Sequence, residues 1–307
     1  MRRRQFLAAL GGMAAGPLAS YAQGPGLPLI GYLGPEAPER FASRVNAFRD
    51  GLGDYQKLPA LAADLAARQV AVMVAPGGAP NALAAKVATT TIPIVFEMGG
   101  DPVALGIVPS LSQPGGNLTG VSSLSVEVGP KRLESLHEVI STASVFAVAV
   151  NPTSPTANSQ SEILKRTADA LGLRLHVLHA SAEQEFELLF TGSPEVGAGG
   201  LVFTSDPVFA FRSQQLAALA IRYKVPAITQ SRDFPVAGGL MSYGGDFVQS
   251  HRQAGVYAGR VLKGEKPSDL PIQLVTRVEF FINLKTARSL GLTVPTPFLA
   301  RADEVIE

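Results

Sequence analysis

Short apolar runs alternate with amphipathic stretches along almost the whole chain. The runs at 27–34 (LPLIGYLG), 70–75 (VAVMVA), 93–100 (PIVFEMGG) and 118–122 (LTGVS) are continuous rather than alternating, which predicts strands buried on both faces. Between them lie helical periods: Val45, Phe48 and Leu52 mark one face of a helix over 37–52, and Leu58, Leu61 and Leu65 mark a second over 58–68. A helix over 81–89 follows the turn Pro76-Gly77-Gly78, and Asp101-Pro102 predicts a further short helix.

The second half repeats the alternation. Gly129-Pro130 opens a helix with Leu133, Leu136, Val139 and Ile140 inward, followed by strand 144–150, helix 159–171, strand 173–178 and helix 182–190. Strand 200–205, helix 212–223, strand 226–230, strand 240–244, helix 246–262, strand 278–282 and helix 284–290 complete the series. Strands alternating with helices of this length predict parallel sheets covered on both faces. The plan of 70–97 recurs at 200–230, each time with a proline opening the later strand (Pro93, Pro226), which predicts two similar lobes.

Composition narrows the function. A chain of 307 residues that is 46% hydrophobic can bury one large core or two medium ones. Formal net charge is +1 with scattered Lys and Arg, so a nucleic-acid partner is not expected. The absence of cysteine excludes disulfides, thiolate metal sites and a cysteine nucleophile. The four histidines (His137, His176, His179, His251) show no HxH or HExxH spacing, so neither metal nor cofactor is expected. No nucleotide-binding glycine motif and no G-x-S-x-G elbow occurs.

Residues 1–22 read as an export signal: Arg3-Arg4-Gln5-Phe6-Leu7 fits a twin-arginine core, 7–18 is apolar but short of the roughly 20 residues that span a bilayer, and Ser20-Tyr21-Ala22 predicts cleavage before Gln23, with an uncleaved membrane anchor as the alternative. The expected destination is the periplasm.

The stretch SVFAVAVNPTSPTANSQS (144–161) organises the second half. A buried strand breaks at Asn151-Pro152, and Asn158 and Ser159 precede an amphipathic run, so helix N–H groups face outward beyond a strand's carboxyl end, where open α/β folds bind small anions. Taken alone, the same residues read first as an ordinary N-cap on a surface helix, and their place at the opening of a second similar half is what points to binding. Asp206 ends the strand LVFTS, where it can meet a ligand ammonium or cap the helix opened by Pro207.

The runs TTTIPIVFEMGGDPVALGIVPSLSQPGGNLTGVS (89–122), GPKRLESLHEV (129–139) and FFINLKTARSLGLTVPTPFLARADEVIE (280–307) resemble the ABC-transporter substrate-binding family, which includes binding proteins of tryptophan/tyrosine-type importers. The resemblance covers essentially the whole mature chain. It implies two Rossmann-like lobes with parallel sheets, of the type I periplasmic-binding fold. It further implies a small carboxylate-bearing, amino acid-like ligand between the lobes, no catalysis, and delivery by a monomer to an ABC permease in the inner membrane. On that pattern lobe 1 takes 28–125 plus 243–270 and lobe 2 takes 126–242 plus 271–290, with hinges near 125–129, 238–243 and 271–276. The ligand-binding set it implies is Gly77, Gly78, Asp101, Asn151, Asn158, Ser159, Asp206 and Tyr243, with Asn158 and Ser159 on the carboxylate and Asp206 on the amine. One departure stands out: where the family carries a strand-bearing segment, Gly53-Asp54-Tyr55 joins two helices directly, so lobe 1 is expected to lack one strand. The rival reading is a secreted α/β enzyme using Asp101 or Asp206 as acid or base; a periplasmic sensor subunit would share the binding chemistry.

The export signal is testable directly. Replacing Arg3 and Arg4 together by lysine should leave uncleaved precursor in the cytoplasm, and unchanged periplasmic yield on fractionation would reject the twin-arginine route.

Overall fold

The computed structural model describes residues 30–32, 55–123 and 125–307. The export signal at 1–22, the helix expected over 37–52 and the junction at Gly53-Asp54 lie outside the described residues. Two sheets organise the rest. The first has five strands in the order β1 (Ile30–Tyr32), β2 (Val72–Ala75), β3 (Ile94–Met98), β4 (Leu118–Ser122) and β10 (Gln273–Leu274), all parallel. Among the described residues β1 pairs only with β2, and Tyr55–Lys57 is one 3-10 turn leading into α1 (Leu58–Ala67).

The second sheet has seven strands in the order β12 (Glu304–Ile306), β11 (Val278–Asn283), β9 (Met241–Gly245), β8 (Ala227–Thr229), β7 (Leu201–Phe203), β5 (Val145–Val150) and β6 (Arg174–His179). Five of its strands are parallel as expected, whereas β11 runs antiparallel to β9, with β12 parallel to β11. The reason is the path of the chain. β9 leaves the second lobe and β11 returns to it, so the two lie side by side in opposite senses without a crossover helix.

β2, β3, β5 and β7 are buried along their length, which accounts for their uninterrupted apolar runs. Helices cover both faces of each sheet. α2 (Ala79–Ala88) packs on β2 and β3; α3 (Gly129–Val139) and α4 (Ala157–Ala170) pack on one face of the second sheet. On its other face Phe186 and Phe190 of α5 (Phe186–Glu195), Phe209 of α6 (Pro207–Phe211) and Leu216 of α7 (Ser213–Tyr223) enclose Phe203. α8 (Asp233–Val236) adds Phe234 there.

α9 (Phe247–Leu262) starts at Asp246, whose carboxylate accepts from Gln249 N at 2.8 Å, and stops before Gly264 at φ 98°, a conformation glycine adopts without penalty. Its Ala254, Tyr257, Ala258 and Val261 pack on Val72, Val74, Val95 and Val121 of the first sheet. The C-terminus adds α10 (Leu284–Ser289), α11 (Thr296–Leu299) and β12 to the second lobe.

The chain therefore crosses between sheets three times: after β4 on the way to α3, after Gly245, and between Leu274 and Val278. The expected domain switches at 242/243 and 270/271 are displaced accordingly. Residues 243–245 belong to a strand of the second sheet, and Gln273-Leu274 pairs with β4 of the first. The glycines at 238 and 239, read as a hinge, instead form a turn at Ile221 and Phe234. No helix forms at 102–106, which is a run of turns whose start Asp101 stabilises by accepting from Val103 N at 2.7 Å.

Gly120 marks the tightest packing between β3 and β4. A Cβ there would sit 2.3 Å from the Phe96 carbonyl oxygen, which neither strand can relieve without breaking register. Gly120→Ala should cost about 1–3 kcal/mol, read as a lower midpoint in urea or thermal unfolding; an unchanged midpoint would contradict this packing.

Candidate functional site

A cleft of about 500 Å³ opens between the lobes. Its walls are the segments that follow the carboxyl ends of parallel strands: Gly77–Ala79 after β2, Glu97–Gly100 at the end of β3, Ser154 and Thr156 after β5, Ser205–Pro207 after β7, and Gln230, Ser231 and Asp233 after β8. That is where an open α/β sheet exposes backbone groups and helix N-termini. Phe247 and His251 of α9 complete the first lobe's wall, and Phe211 adds an aromatic surface from the second.

The lobes meet across the cleft. Gly78 lies so near Pro207 that a Cβ would come within 3.0 Å of the proline Cγ, and Gly78 holds φ 100°. Tyr55 packs against the cores of both lobes, and its hydroxyl donates to Asp206 Oδ1 at 2.7 Å.

Asp206 is the most constrained polar group in the cleft. It is 1% exposed and caps α6, with Oδ1 accepting from Val208 N at 3.0 Å, Asn151 Nδ2 at 3.2 Å and the Tyr55 phenol. Oδ2 is buried with no hydrogen-bond partner. Burial pushes the Asp206 carboxyl above the usual carboxylate range, opposed most by the Tyr55 hydroxyl and the Asn151 amide that donate to it. Burial, and then the Asp206 charge, likewise raise the Tyr55 phenol.

Behind the cleft floor lies Arg132, which is fully buried. Its Nη1 donates to Ser125 O at 3.1 Å and to Tyr243 O at 3.0 Å, and its Nη2 donates to Ser205 Oγ at 2.8 Å. Ser205 Oγ in turn donates to Ser125 O at 2.6 Å, and Gly245 N donates to Ser125 Oγ at 3.2 Å. One guanidinium thus joins the first crossing (Ser125), the strand before the second (Tyr243) and the floor (Ser205). Burial pulls its pKa down to about 10, so it remains a cation at neutral pH.

The structure brings together some of the residues singled out from sequence. Gly77, Gly78 and Asp206 line the cleft; Asn151 is buried behind Asp206 and bonded to it. The others stand elsewhere. Asn158 and Ser159 are exposed and outside the lining, because α4 begins at Ala157 and its first residues turn away; Ser159 Oγ donates to Thr156 O at 3.1 Å. Ser154 and Thr156, just ahead of the helix, face the cleft in their place. Asp101 is exposed and occupied with Val103 N. The Tyr243 ring packs 5.8 Å from that of Phe280, away from the cleft.

Sequence reasoning passed over Tyr55, Arg132 and His251, and it read Glu97 only as one of several strand-end carboxylates. Two left a signal: Glu97 interrupts the apolar run IVFEM, and Arg132 falls on the buried stripe of α3 three residues before Ser135 and four before Leu136. Among the described residues, no group of three or more His, Cys, Asp or Glu is placed to hold a metal.

The sequence model of the family described as ABC transporter substrate binding protein matches residues 42–306. A tyrosine-binding protein from Clostridioides difficile is 28% identical over 215 residues, which are 69% of this chain and 61% of that protein, so the chain spans less than two thirds of that relative. Among solved structures, a conserved domain protein from Vibrio cholerae O1 superposes with TM-score 0.75 at 28% identity, covering 82% of this chain and 84% of that one. An ABC domain in complex with L-Trp from Streptococcus pneumonia superposes with TM-score 0.76 at 23% identity, covering 90% of this chain and all (100%) of the other, a likeness of fold.

A carboxyl whose folded pKa lies above its unfolded value stabilises the fold at low pH, and that contribution is lost as pH rises through the folded pKa. Ionised Asp206 therefore destabilises the empty protein at neutral pH. Asp206→Asn should melt no lower than the parent near pH 7, with its relative advantage disappearing toward about pH 4. Melting curves across that range check this, and a variant that melts well below the parent at pH 7 contradicts it.

Proposed function

From the premise that the chain belongs to the ABC transporter substrate binding protein family, we propose that it is the ligand-binding component of an importer, taking an amino acid-like ligand into the cleft between its lobes. The observation that carries this reading is Asp206: a buried carboxylate in the cleft wall with one oxygen held by three donors and the other without a hydrogen-bond partner. A ligand ammonium at Oδ2 supplies the missing donor and the missing counter-charge together, a charge-assisted bond worth about 1.5–3 kcal/mol. Ser154 and Thr156, at the N-terminal end of α4, offer hydroxyls and a favourable helix end to the ligand carboxylate, worth about 0.3–1 kcal/mol from the dipole. The names of two similar proteins, one tyrosine-binding and one solved with L-Trp, support an amino acid.

Ligand contacts to both walls favour the closed arrangement over an open one, and the three crossings supply the hinge. Asp101 lies outside the cleft and so does not pair with Asp206 as an acid and base would, which supports binding without turnover. The signal at 1–22 is the ground for placing the protein in the periplasm, as a monomer that meets an ABC permease at the inner membrane.

Calorimetric titration of the mature protein with amino acids should give one site per chain and no turnover. Asp206→Asn should weaken binding about tenfold or more. Thr156→Ala and Ser154→Ala should each weaken it less, and Ser159→Ala should leave it unchanged. Undiminished affinity in Asp206→Asn would reduce that residue to a helix cap.

A further inference from the structure

Behind the Thr156 hydroxyl of the cleft wall lies a buried amide that takes no part in the contacts described so far. Gln160, in α4, is 4% exposed and stands outside the cleft lining. Its Oε1 accepts from Ser205 N at 2.7 Å, and its Nε2 donates to Ser205 O at 2.9 Å and to Thr156 Oγ1 at 2.8 Å. This one side chain therefore clamps the segment after β7 to the segment after β5, and Ser205 and Thr156 both line the cleft.

The clamp has a fixed polarity. Ser205 presents to it a backbone N–H and a backbone carbonyl, neither of which can change role, so the amide oxygen lies at the first and the amide nitrogen at the second. The remaining proton of Nε2 goes to Thr156 Oγ1. A hydroxyl that accepts from a fixed donor keeps its own proton to give, here to Ser154 Oγ at 3.2 Å or to a ligand oxygen. Ser205 Oγ is committed differently: it accepts from Arg132 Nη2 at 2.8 Å and gives its single proton to Ser125 O at 2.6 Å. Of the two hydroxyls joined by the clamp, Thr156 is the one that can donate into the cleft.

We infer that Gln160 is the positioning residue for the ligand carboxylate. It acts through Thr156 rather than by contact, holding that hydroxyl as a donor so that this end of the cleft favours an anionic oxygen over an ammonium. The ligand class that follows carries a free carboxylate at one end and an ammonium for Asp206 at the other; an amine without the carboxylate leaves the directed proton without an anionic partner. This inference rests on the amino acid-like reading above and deepens it.

The test is calorimetric titration of the mature protein with two matched pairs, L-tyrosine with tyramine and L-tryptophan with tryptamine, which differ only in the carboxylate. In the parent at least one acid should bind about tenfold or more tightly than its amine, as a charge-assisted hydrogen bond requires. Gln160→Met, similar in volume but without the amide, should bring that ratio down toward unity. Thr156→Val should do the same, Thr156→Ser should restore the preference, and adding Gln160→Met to Thr156→Val should lower the ratio no further. If Gln160→Met does not fold, Gln160→Glu carries the test: it keeps the shape and the acceptor for Ser205 N, removes the donor to Thr156, and should lose the preference too. Acid and amine weakened equally by the Gln160 changes, or a preference that survives Thr156→Val, would overturn the positioning role and leave the amino acid reading standing. A parent that binds acid and amine alike would overturn the carboxylate seat while keeping the cation seat at Asp206. A parent that binds none of the four would overturn both the reading and this inference.

Discussion

The carboxylate of Asp206 is the interaction on which the architecture turns. It caps α6, fixes Asn151 at the end of β5 and receives the Tyr55 phenol from the opposite lobe, all through one oxygen. Desolvation of the other oxygen opposes the charge, so the empty site holds an acid whose pKa is raised. A fold selected only for stability would place an amide or an apolar side chain there. Retaining the acid sacrifices folded-state stability for an electrostatic seat that a cation can fill, the trade expected at functional sites.

Arg132 imposes the complementary constraint. Among the described residues its guanidinium hydrogen-bonds no carboxylate and instead gathers the carbonyls of Ser125 in the first crossing and Tyr243 on β9, and a hydroxyl of the floor. Any motion of one lobe against the other has to preserve or exchange these bonds at Ser125, Tyr243 and Ser205. A Cβ at Gly245 would lie 2.5 Å from Ser123 O, so this crossing leaves no room for a side chain there.

Most of the fold was legible because its strands are buried on both faces: runs such as VFAVAV have no polar interruption to confuse their assignment. The sheet order at the reversed edge was not, since the antiparallel pairing of β11 with β9 depends on which lobe the chain is leaving, a tertiary fact. Asp206 was legible from its place after LVFTS and before Pro207. Asn158 and Ser159 were misplaced because a capping pattern fixes a helix start only to within a residue or two, and one residue rotates a side chain by about 100°. Tyr55 left no trace in the sequence, its partner lying 151 positions away. Glu97 was visible as a charge in an apolar run, but only the folded structure places it in the cleft wall.

The central claim, that the buried Asp206 carboxylate is the seat of a ligand cation, is tested most directly by proton linkage. Binding heats measured in two buffers of different ionisation enthalpy, across mildly acidic pH, report protons released when the ligand arrives. The account predicts release that grows as pH falls toward the raised pKa of Asp206, because a cation at Oδ2 favours the ionised carboxylate, and predicts that this release is absent in Asp206→Asn. Heats that do not depend on the buffer, or equal release from parent and variant, would contradict it.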